Sequence, residues 1–261
     1  MLNFSIDQSL IISLIMVSIR VGGIVLFAPF FSMTAFPATV RIYLTLFLSL
    51  VLVPIVQAPQ LPSPFTLLGL SILLGQEALI GMSVGLVMRM LFAGVQLAGQ
   101  LIGFQIGFSI VNIIDPQTAV QTSTLTVLVN FLALVIFLFA NGHHFIIAAL
   151  AGSYSYIPPM QAFLNRSVLD VIMGSAGRVW VVGLQLAAPM LFLMLFLDFV
   201  IGILGRIAPQ IPILIITFPL KIIVGLLSIG LGMTYFREAI LHFITIFEND
   251  SMMLLKALAH G

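Results

Sequence analysis

The sequence predicts an all-α membrane protein. Two features of its composition predict this class: 61% of the 261 residues are hydrophobic, and only 7% are Asp, Glu, Lys or Arg. Because soluble domains carry about 25% charged residues, a soluble globular fold is nearly excluded. The third observation is the spacing of the charges, since residues 21–40, 42–76 and 116–165 contain none. A helix that crosses the bilayer needs about 20 apolar residues, and each run supplies that length.

The net charge, the absence of cysteine and the N-terminal stretch each argue against particular classes of protein. The net charge of +1 comes without a basic patch, so we expect no nucleic-acid partner. The sequence contains no cysteine, which excludes thiol catalysis, disulfides and cysteine metal sites. The N-terminal stretch MLNFSIDQSL lacks a basic region and contains Asp7, which argues against a cleaved signal peptide. We expect residues 1–261 to form a single integral membrane domain in contact with lipid.

Apolar segments provide material for roughly six membrane spans. The third and the fifth segments are too long for one simple crossing, so we expect them to extend beyond the bilayer or to be broken within it. The stretch Arg237–Leu258 mixes charged and apolar side chains, which predicts an amphipathic tail at an interface or against a partner. The six segments are Leu10–Phe31, Arg41–Gln57, Phe65–Gly107, Ser123–Ala140, Ser167–Arg206 and Ile211–Phe236.

Glycine recurs at every fourth position near the start of the stretch GQLIGFQIGFSIVNIIDP, residues 99–116. At about 100° per residue, these glycines share one helix face with two glutamines. Small residues let membrane helices approach closely, and amides form hydrogen bonds between helices. This face therefore predicts close packing, within the chain or against other subunits, and Gly81 and Gly85 repeat the spacing. The predicted packing face consists of Gln96, Gly99, Gln100, Gly103 and Gly107.

The helical pattern ends after Gly107, where the apolar run 108–114 leads to Asp115-Pro116. A proline disfavours helical geometry in the preceding residue, so we expect a loop or a broken helix. Two interpretations remain open on the pattern alone. The run is either a buried connector between two helices or an apolar constriction, which can close a pore to ions without any charge.

Charged residues inside apolar segments indicate function by default. Glu77 and Arg89 are about 120° apart on a straight helix and do not pair there. We expect most of these charges to lie at helix ends or to meet partners in an assembly. Carboxylates at depth are too few for a proton relay, which argues against an autonomous ion-coupled pump. The residues concerned are Arg20, Glu77, Arg89, Arg178, Asp198, Arg206 and Lys221, of which Glu77, Arg89, Arg206 and Lys221 are the candidate buried charges.

The sequence has no HExxH motif and no P-loop. His143 and His144 follow an Asn-Gly turn and have no nearby carboxylate, which indicates histidines at a helix end more than a metal site. We therefore expect no catalytic residue, no cofactor and no metal. Two alternatives stay open: an intramembrane enzyme that uses His143 or His144, and a small secondary transporter with broken helices.

Prolines mark the segment GRIAPQIPILIITFPLK, residues 205–221. Pro209 and Pro212 flank Gln210 between two apolar segments, which predicts the tip of a helical hairpin. Pro219 then falls inside the second helix and should kink it.

Four motifs follow one another along the chain: QEALIG (76–81), GQLIGFQIGFSIVNIIDP (99–116), FANGHH (139–144) and GRIAPQIPILIITFPLKI (205–222). In this order they resemble the FliR family of type III export-gate subunits. The flagellar branch fits better than the injectisome branch, which remains the alternative. The resemblance covers nearly the whole chain and implies a non-enzymatic subunit of the flagellar protein export gate, in the bacterial inner membrane at the flagellar basal body.

The resemblance also implies a fold and partners. Members of this family resemble a fusion of FliP and FliQ, with kinked helical hairpins in a helical ring. Here about 1–169 would be the FliP-like part, and about 170–261 the FliQ-like hairpin with the amphipathic helix. The implied partners are FliP-like, FliQ-like, FlhB-like and FlhA-like proteins, and the implied cargo is unfolded flagellar subunits. Carried over by position, an apolar plug loop falls near 108–122. Its implied plug and pore residues are Phe108, Ile110, Val111, Ile113, Ile114, Asp115 and Pro116.

Overall fold

Apolar segments in a bilayer fold into helices because lipid offers no hydrogen bonds to an open backbone. The structure, a computed structural model, describes residues 8–29, 31, 37–56, 66–107, 124–159, 165–210 and 213–259. Within these ranges the regular elements are α-helices without any β-strand, which confirms the predicted all-α class there. The helices are α1 (Gln8–Phe27), α2 (Ala38–Leu52), α3 (Leu67–Ile106), α4 (Thr124–Phe139), α5 (Gly142–Tyr156), α6 (Arg166–Ile207), α7 (Ile213–Leu231) and α8 (Met233–Ala259).

Helix length identifies the membrane spans. Among the described residues, three helices, α1, α3 and α6, are long and apolar enough to cross a membrane, and there are up to five candidate spans if the bent pairs α4–α5 and α7–α8 each count as one. Helices α3 and α6 contain 40 and 42 residues, which is about 60 Å of helix, or roughly twice the hydrocarbon core. The expectation that these two segments exceed a simple crossing is confirmed. Helix α2 has 15 residues, fewer than the roughly 20 that a crossing needs, so the described part of the chain contains at most five candidate spans where roughly six were expected.

Helix α4 ends and helix α5 begins where the Asn-Gly turn is predicted. Asn141 has a φ of 59°, a left-handed conformation that Asn adopts more readily than most residues. The predicted turn in FANGHH is therefore confirmed, and His143 and His144 occupy the first turn of α5.

The bend between α7 and α8 corrects a predicted boundary. Helices α7 and α8 meet at 60° at Gly232, whose N–H still donates to the Ser228 carbonyl at 2.8 Å. Helix α7 continues across Pro219. The predicted division into a span ending at Phe236 and a separate tail is wrong, because Met233–Ala259 is one helix. The charged side chains that suggested the boundary begin only at Arg237, after the bend, whereas the conformational freedom of glycine lets the helix end at Gly232.

The helices form two compact units. The first consists of Met1–Met90, Asn141–Ala176 and Thr245–Gly261. In it, α1 and α3 touch at the level of their backbones: a Cβ atom on Gly81 would overlap the Arg20 carbonyl oxygen, and one on Gly23 would lie 2.8 Å from the Met82 nitrogen. Gly85 makes a similar contact, with its Cβ position 2.8 Å from the Phe27 Cβ atom. Small residues thus allow this approach.

The second unit consists of Leu91–Ala140 and Gly177–Ile244. In it, the later part of α3 packs against α6 and α4. A Cβ atom on Gly94 would lie 2.6 Å from Val182 Cβ, and one on Gly183 would lie 2.6 Å from Leu97 Cδ2. Each helix therefore presents a glycine to a side chain of the other, and α3 and α6 pack closely.

Candidate functional site: two charged clusters and the end of helix α3

A charged pair lies fully buried in the first unit. Arg20 of α1 and Glu77 of α3 each have 0% side-chain exposure, and Arg20 Nε donates to Glu77 Oε2 at 2.6 Å. Arg20 Nη1 also donates to the Ser153 hydroxyl at 3.3 Å and to the Ile157 carbonyl at 3.1 Å. The guanidinium carbon lies 4.2 Å from the centre of the Tyr154 ring. We call these five residues the buried cluster, which joins α1, α3 and the end of α5.

The local sequence explains why this pair can form. Arg20 lies on the face of α1 that also buries Val17, Val21 and Ile24. One turn beyond Glu77, Gly81 lets the α3 backbone reach the Arg20 carbonyl. The charge-assisted hydrogen bond and the ring contact compensate for the removal of both charges from water. The cluster therefore couples tight helix packing to charge neutralisation.

Sequence reasoning found the members of this pair but not the pairing. Glu77 is a candidate buried charge, whereas Arg20 is only one of several charges in apolar segments. One feature of the sequence could have indicated the pairing, because each charge has a glycine within one helical turn that permits close helix contact. Gly23 follows Arg20, and Gly81 follows Glu77. Tyr154 also packs on Arg20 in the first unit, a contact that the sequence does not predict.

A second charged cluster lies at the end of α3 in the second unit. Lys221 Nζ of α7 is 2.6 Å from Asp198 Oδ1 of α6, with side-chain exposures of 15% and 38%. Gln105 of α3 donates through Nε2 to Asp198 Oδ2 at 3.0 Å. Lys221 also donates to the Gln105 carbonyl at 3.4 Å, where a cation stabilises the C-terminal end of a helix. We call these three residues the α3-end cluster.

The predicted packing face divides into a buried part and an exposed part. Gly99 is buried, and a Cβ atom there would lie 2.8 Å from Thr126 Cα of α4. Gly103 is buried as well, whereas Gln96 and Gln100 are exposed on the surface of the chain. The two glycines thus lie on the inward side of the face, and the two amides lie on its outer edge.

Helix α3 ends at Ile106, and Gly107 is the turn residue that follows it. Its φ is 100°, a left-handed conformation that favours glycine at helix ends, and its N–H donates to the Phe104 carbonyl at 3.1 Å. The segment 108–123 lies outside the described residues. It includes all the predicted plug and pore residues, namely Phe108, Ile110, Val111, Ile113, Ile114, Asp115 and Pro116.

The other candidate buried charges lie nearer the surface. Arg89 is exposed, with its guanidinium carbon 5.9 Å from the centre of the Phe27 ring. Arg206 is exposed in the last turn of α6, where a cation favours the helix end. In the isolated chain, Glu77 is thus fully buried, Lys221 is mostly buried, and the two arginines face outward.

The two adjacent histidines pack on one another at the start of α5. The ring centres of His143 and His144 are 4.2 Å apart. In the part of the chain that the structure describes, no group of three His, Asp or Glu side chains is placed to hold a metal ion.

Comparison with known proteins gives the family. Residues 11–246 match the family described as "Bacterial export proteins, family 1". The flagellar biosynthetic protein FliR of Bacillus subtilis (strain 168) is 32% identical over 221 residues, which cover 82% of this chain and 83% of the relative. The FliR protein of Escherichia coli (strain K12) is 32% identical over 209 residues, which cover 80% of this chain and 79% of the relative. The FliR protein of Aquifex aeolicus (strain VF5) is 25% identical over 227 residues, which cover 87% of both chains. The match along almost the whole chain confirms the resemblance found in the sequence, and the protein belongs to family 1 of the bacterial export proteins, together with the flagellar biosynthetic protein FliR.

Proposed function

We propose that the chain is a non-enzymatic subunit of the flagellar type III protein export gate and forms part of the pore for unfolded flagellar subunits. The observation that carries the proposal is the family match over residues 11–246, with FliR relatives that align along about four fifths of their length. As a member of this family, the chain is a membrane-embedded component of the flagellar export apparatus. The proposed location is the bacterial inner membrane at the flagellar basal body.

Exposed apolar surface supports an assembled subunit. Helix α6 is more than long enough to cross the bilayer, and it exposes large side chains such as Trp180, Phe192 and Phe199 along its length. Apolar patches of this extent mark contacts with protein or lipid. We propose that FliP-like and FliQ-like subunits cover part of this surface, with FlhB-like and FlhA-like proteins nearby in the apparatus.

The exposed amides of α3 support a particular assembly face. Gln96 and Gln100 lie on the surface of an apolar helix, and an amide without a hydrogen-bond partner is costly in lipid. A helix of a neighbouring subunit can supply partners, as amides do between membrane helices. We propose that these two glutamines meet a partner subunit, while Gly99 and Gly103 serve packing inside the chain. Arg89 and Arg206 are proposed to become buried in the same assembly.

The gate itself is proposed from the sequence and the resemblance. The segment 108–122 would form the plug, with Phe108, Ile110, Val111, Ile113 and Ile114 as sealing side chains and Asp115-Pro116 ending the apolar run. An apolar constriction excludes ions by keeping water out. The described part of the chain before this segment ends at Gly107, two residues after Gln105 of the α3-end cluster.

Ion leakage of the assembled gate tests the proposal. A variant that lacks residues 108–114 should still co-purify with FliP-like and FliQ-like subunits, but should raise the ion permeability of vesicles that contain the complex. A control with Ile110→Leu and Ile113→Leu keeps length and apolarity and should stay closed. Unchanged permeability in an assembled, shortened gate would count against the plug.

A histidine substitution tests the non-enzymatic assignment. Replacing His143 by Ala should leave both assembly and flagellar export intact, because no reaction passes through its ring. Loss of export from a complex that still assembles would favour the intramembrane enzyme instead.

A further inference from the structure

Helix α6 contains a proline near its middle, Pro189. A proline has no N–H, so the carbonyl of Gln185, four residues earlier, loses its partner within the helix. The hydroxyl of Tyr235, in the first turn of α8, donates to this carbonyl at 2.7 Å. Membrane helices tolerate proline where a neighbouring group satisfies the freed carbonyl. A side chain of another helix therefore bridges the interruption in α6.

A second interruption lies beside the first, in the second unit. Helices α7 and α8 are separated by Gly232, and a Cβ atom on Gly232 would lie 3.5 Å from Cε of Met190, the residue after Pro189. One turn before Gly232, the Ser228 hydroxyl lies 2.8 Å from Met190 Sδ. Met190 is 3% exposed, and a methionine side chain adapts its shape to its surroundings. The two interruptions thus meet around one buried, adaptable side chain.

The bridge between the interruptions lies at the surface of the unit. Tyr235 is 43% exposed, and Gln185 and Pro189 are exposed as well. Their hydrogen bond can therefore open without moving a buried side chain. Beyond this level, α6 and α7 stay joined by the ion pair between Asp198 and Lys221 at 2.6 Å, so their ends should move as one.

We propose that Pro189 and Gly232 form one hinge, at which α6 and the α7–α8 junction bend together, with the Tyr235 hydroxyl as its latch. Sharp bends in helices arise at proline, glycine gives the backbone its widest freedom, and a hinge is a few residues that absorb a change in backbone angles. Packed helices keep their contacts during a bend only when both yield at the same level, as Gly232 and Met190 allow. The proposal does not depend on the proposed role in the export gate.

Hydrogen exchange of backbone amides tests the hinge, because it measures local opening. The chain, with its co-purifying subunits in detergent, is labelled in deuterated buffer, and mass spectrometry follows peptides that cover residues 190–193 and 232–236. Pro189→Ala restores the missing N–H in α6 and should slow exchange in both segments. Tyr235→Phe should speed exchange in both segments about fivefold, as the loss of one hydrogen bond implies.

A double substitution tests the latch. In Pro189→Ala combined with Tyr235→Phe, the Gln185 carbonyl has an N–H partner within α6, so removal of the hydroxyl should change exchange less than about twofold. Both substitutions preserve the fold, since alanine favours a helix and phenylalanine keeps the ring.

Control variants separate the hinge from general effects of these substitutions. Pro219→Ala restores an N–H inside α7 and should leave exchange in residues 232–236 unchanged. Tyr43→Phe removes an exposed hydroxyl from α2 and should leave both segments unchanged.

Three results would overturn the proposal. Unchanged exchange of residues 232–236 in Pro189→Ala would show two independent interruptions. An equal effect of Tyr235→Phe with and without Pro189→Ala would remove the latch. Slower exchange of residues 232–236 in Pro219→Ala would show that any proline removal stiffens the chain.

Discussion

The two charged clusters differ in how completely the surrounding helices shield their ion pairs from solvent. The buried cluster of the first unit encloses Arg20 and Glu77 completely and joins three helices. The α3-end cluster of the second unit leaves Asp198 38% exposed and ties the last turn of α3 to α6 and α7. A fully enclosed pair cannot lose one member without leaving a bare charge, whereas a partly exposed pair can be rehydrated. We therefore expect the first cluster to contribute more to the stability of the fold than the second.

The largest expected effect comes from breaking the buried pair. Glu77→Leu leaves the Arg20 guanidinium buried without its carboxylate, which should cost about 3–5 kcal/mol of folding free energy and remove most folded protein from the membrane. The measurement is the amount of chain extracted in folded form, followed by its thermal unfolding. The double variant Arg20→Met with Glu77→Leu should recover most of the loss. If Glu77→Leu alone were as stable as wild type, the cluster would not maintain the fold.

A glycine substitution tests whether the buried pair depends on close helix packing. In Gly81→Ala the new methyl group would meet the Arg20 carbonyl oxygen, and such overpacking should cost about 1–3 kcal/mol. Gly75→Ala on the same helix is the matched control, because nothing lies within 4 Å of its Cβ position. The control should be neutral or more stable by about 0.5–1 kcal/mol. Equal unfolding temperatures for the two variants would contradict the α1–α3 contact.

The exposed amides of the second unit give a smaller and different effect. Gln96→Leu with Gln100→Leu should leave the isolated chain stable, but should weaken its recovery with FliP-like and FliQ-like subunits. Each interhelical hydrogen bond in a membrane contributes about 0.6 kcal/mol, which predicts a severalfold loss of complex. Co-purification under matched expression measures it. Full recovery of the complex would remove these residues from the proposed assembly face.

A small change in stability is expected at the α3-end cluster. Asp198→Asn keeps the shape of the side chain but removes its ion pair with Lys221, and the partial exposure of the carboxylate limits the cost to about 1 kcal/mol or less. Thermal unfolding of the purified chain, compared directly with Glu77→Gln, checks this difference. A loss as large as that of Glu77→Gln would show that both clusters are equally structural.

Sequence reasoning predicted what depends on local composition. Hydropathy predicts the helical membrane class, and segment length predicts that α3 and α6 exceed a simple crossing. The Asn-Gly pair predicts the turn at Asn141. The partner of Glu77 could not be predicted, because Arg20 is 57 positions away in sequence and the pair forms only when α1 and α3 touch. The bend at Gly232 was missed because the charged residues that suggested a boundary begin only at Arg237.

The helix face near Gly99 shows that sequence periodicity alone does not predict which residues are buried. Spacing predicts correctly which residues share a face, but it does not predict which edge of that face the rest of the chain covers. Burial of Gly99 and exposure of Gln100 depend on the positions of neighbouring helices such as α4, which no local pattern contains. The plug assignment of 108–122, and the resemblance to a FliP–FliQ fusion, stay predictions.

Native mass spectrometry of the detergent-extracted protein tests the central claim most directly. The chain is expressed alone and together with its FliP-like and FliQ-like neighbours, and the intact particles are weighed. An export-gate subunit should appear in a hetero-oligomer that contains both neighbours whenever they are present. A chain that stays monomeric in their presence, and that transports a solute by itself in liposomes, would contradict the account and favour a secondary transporter.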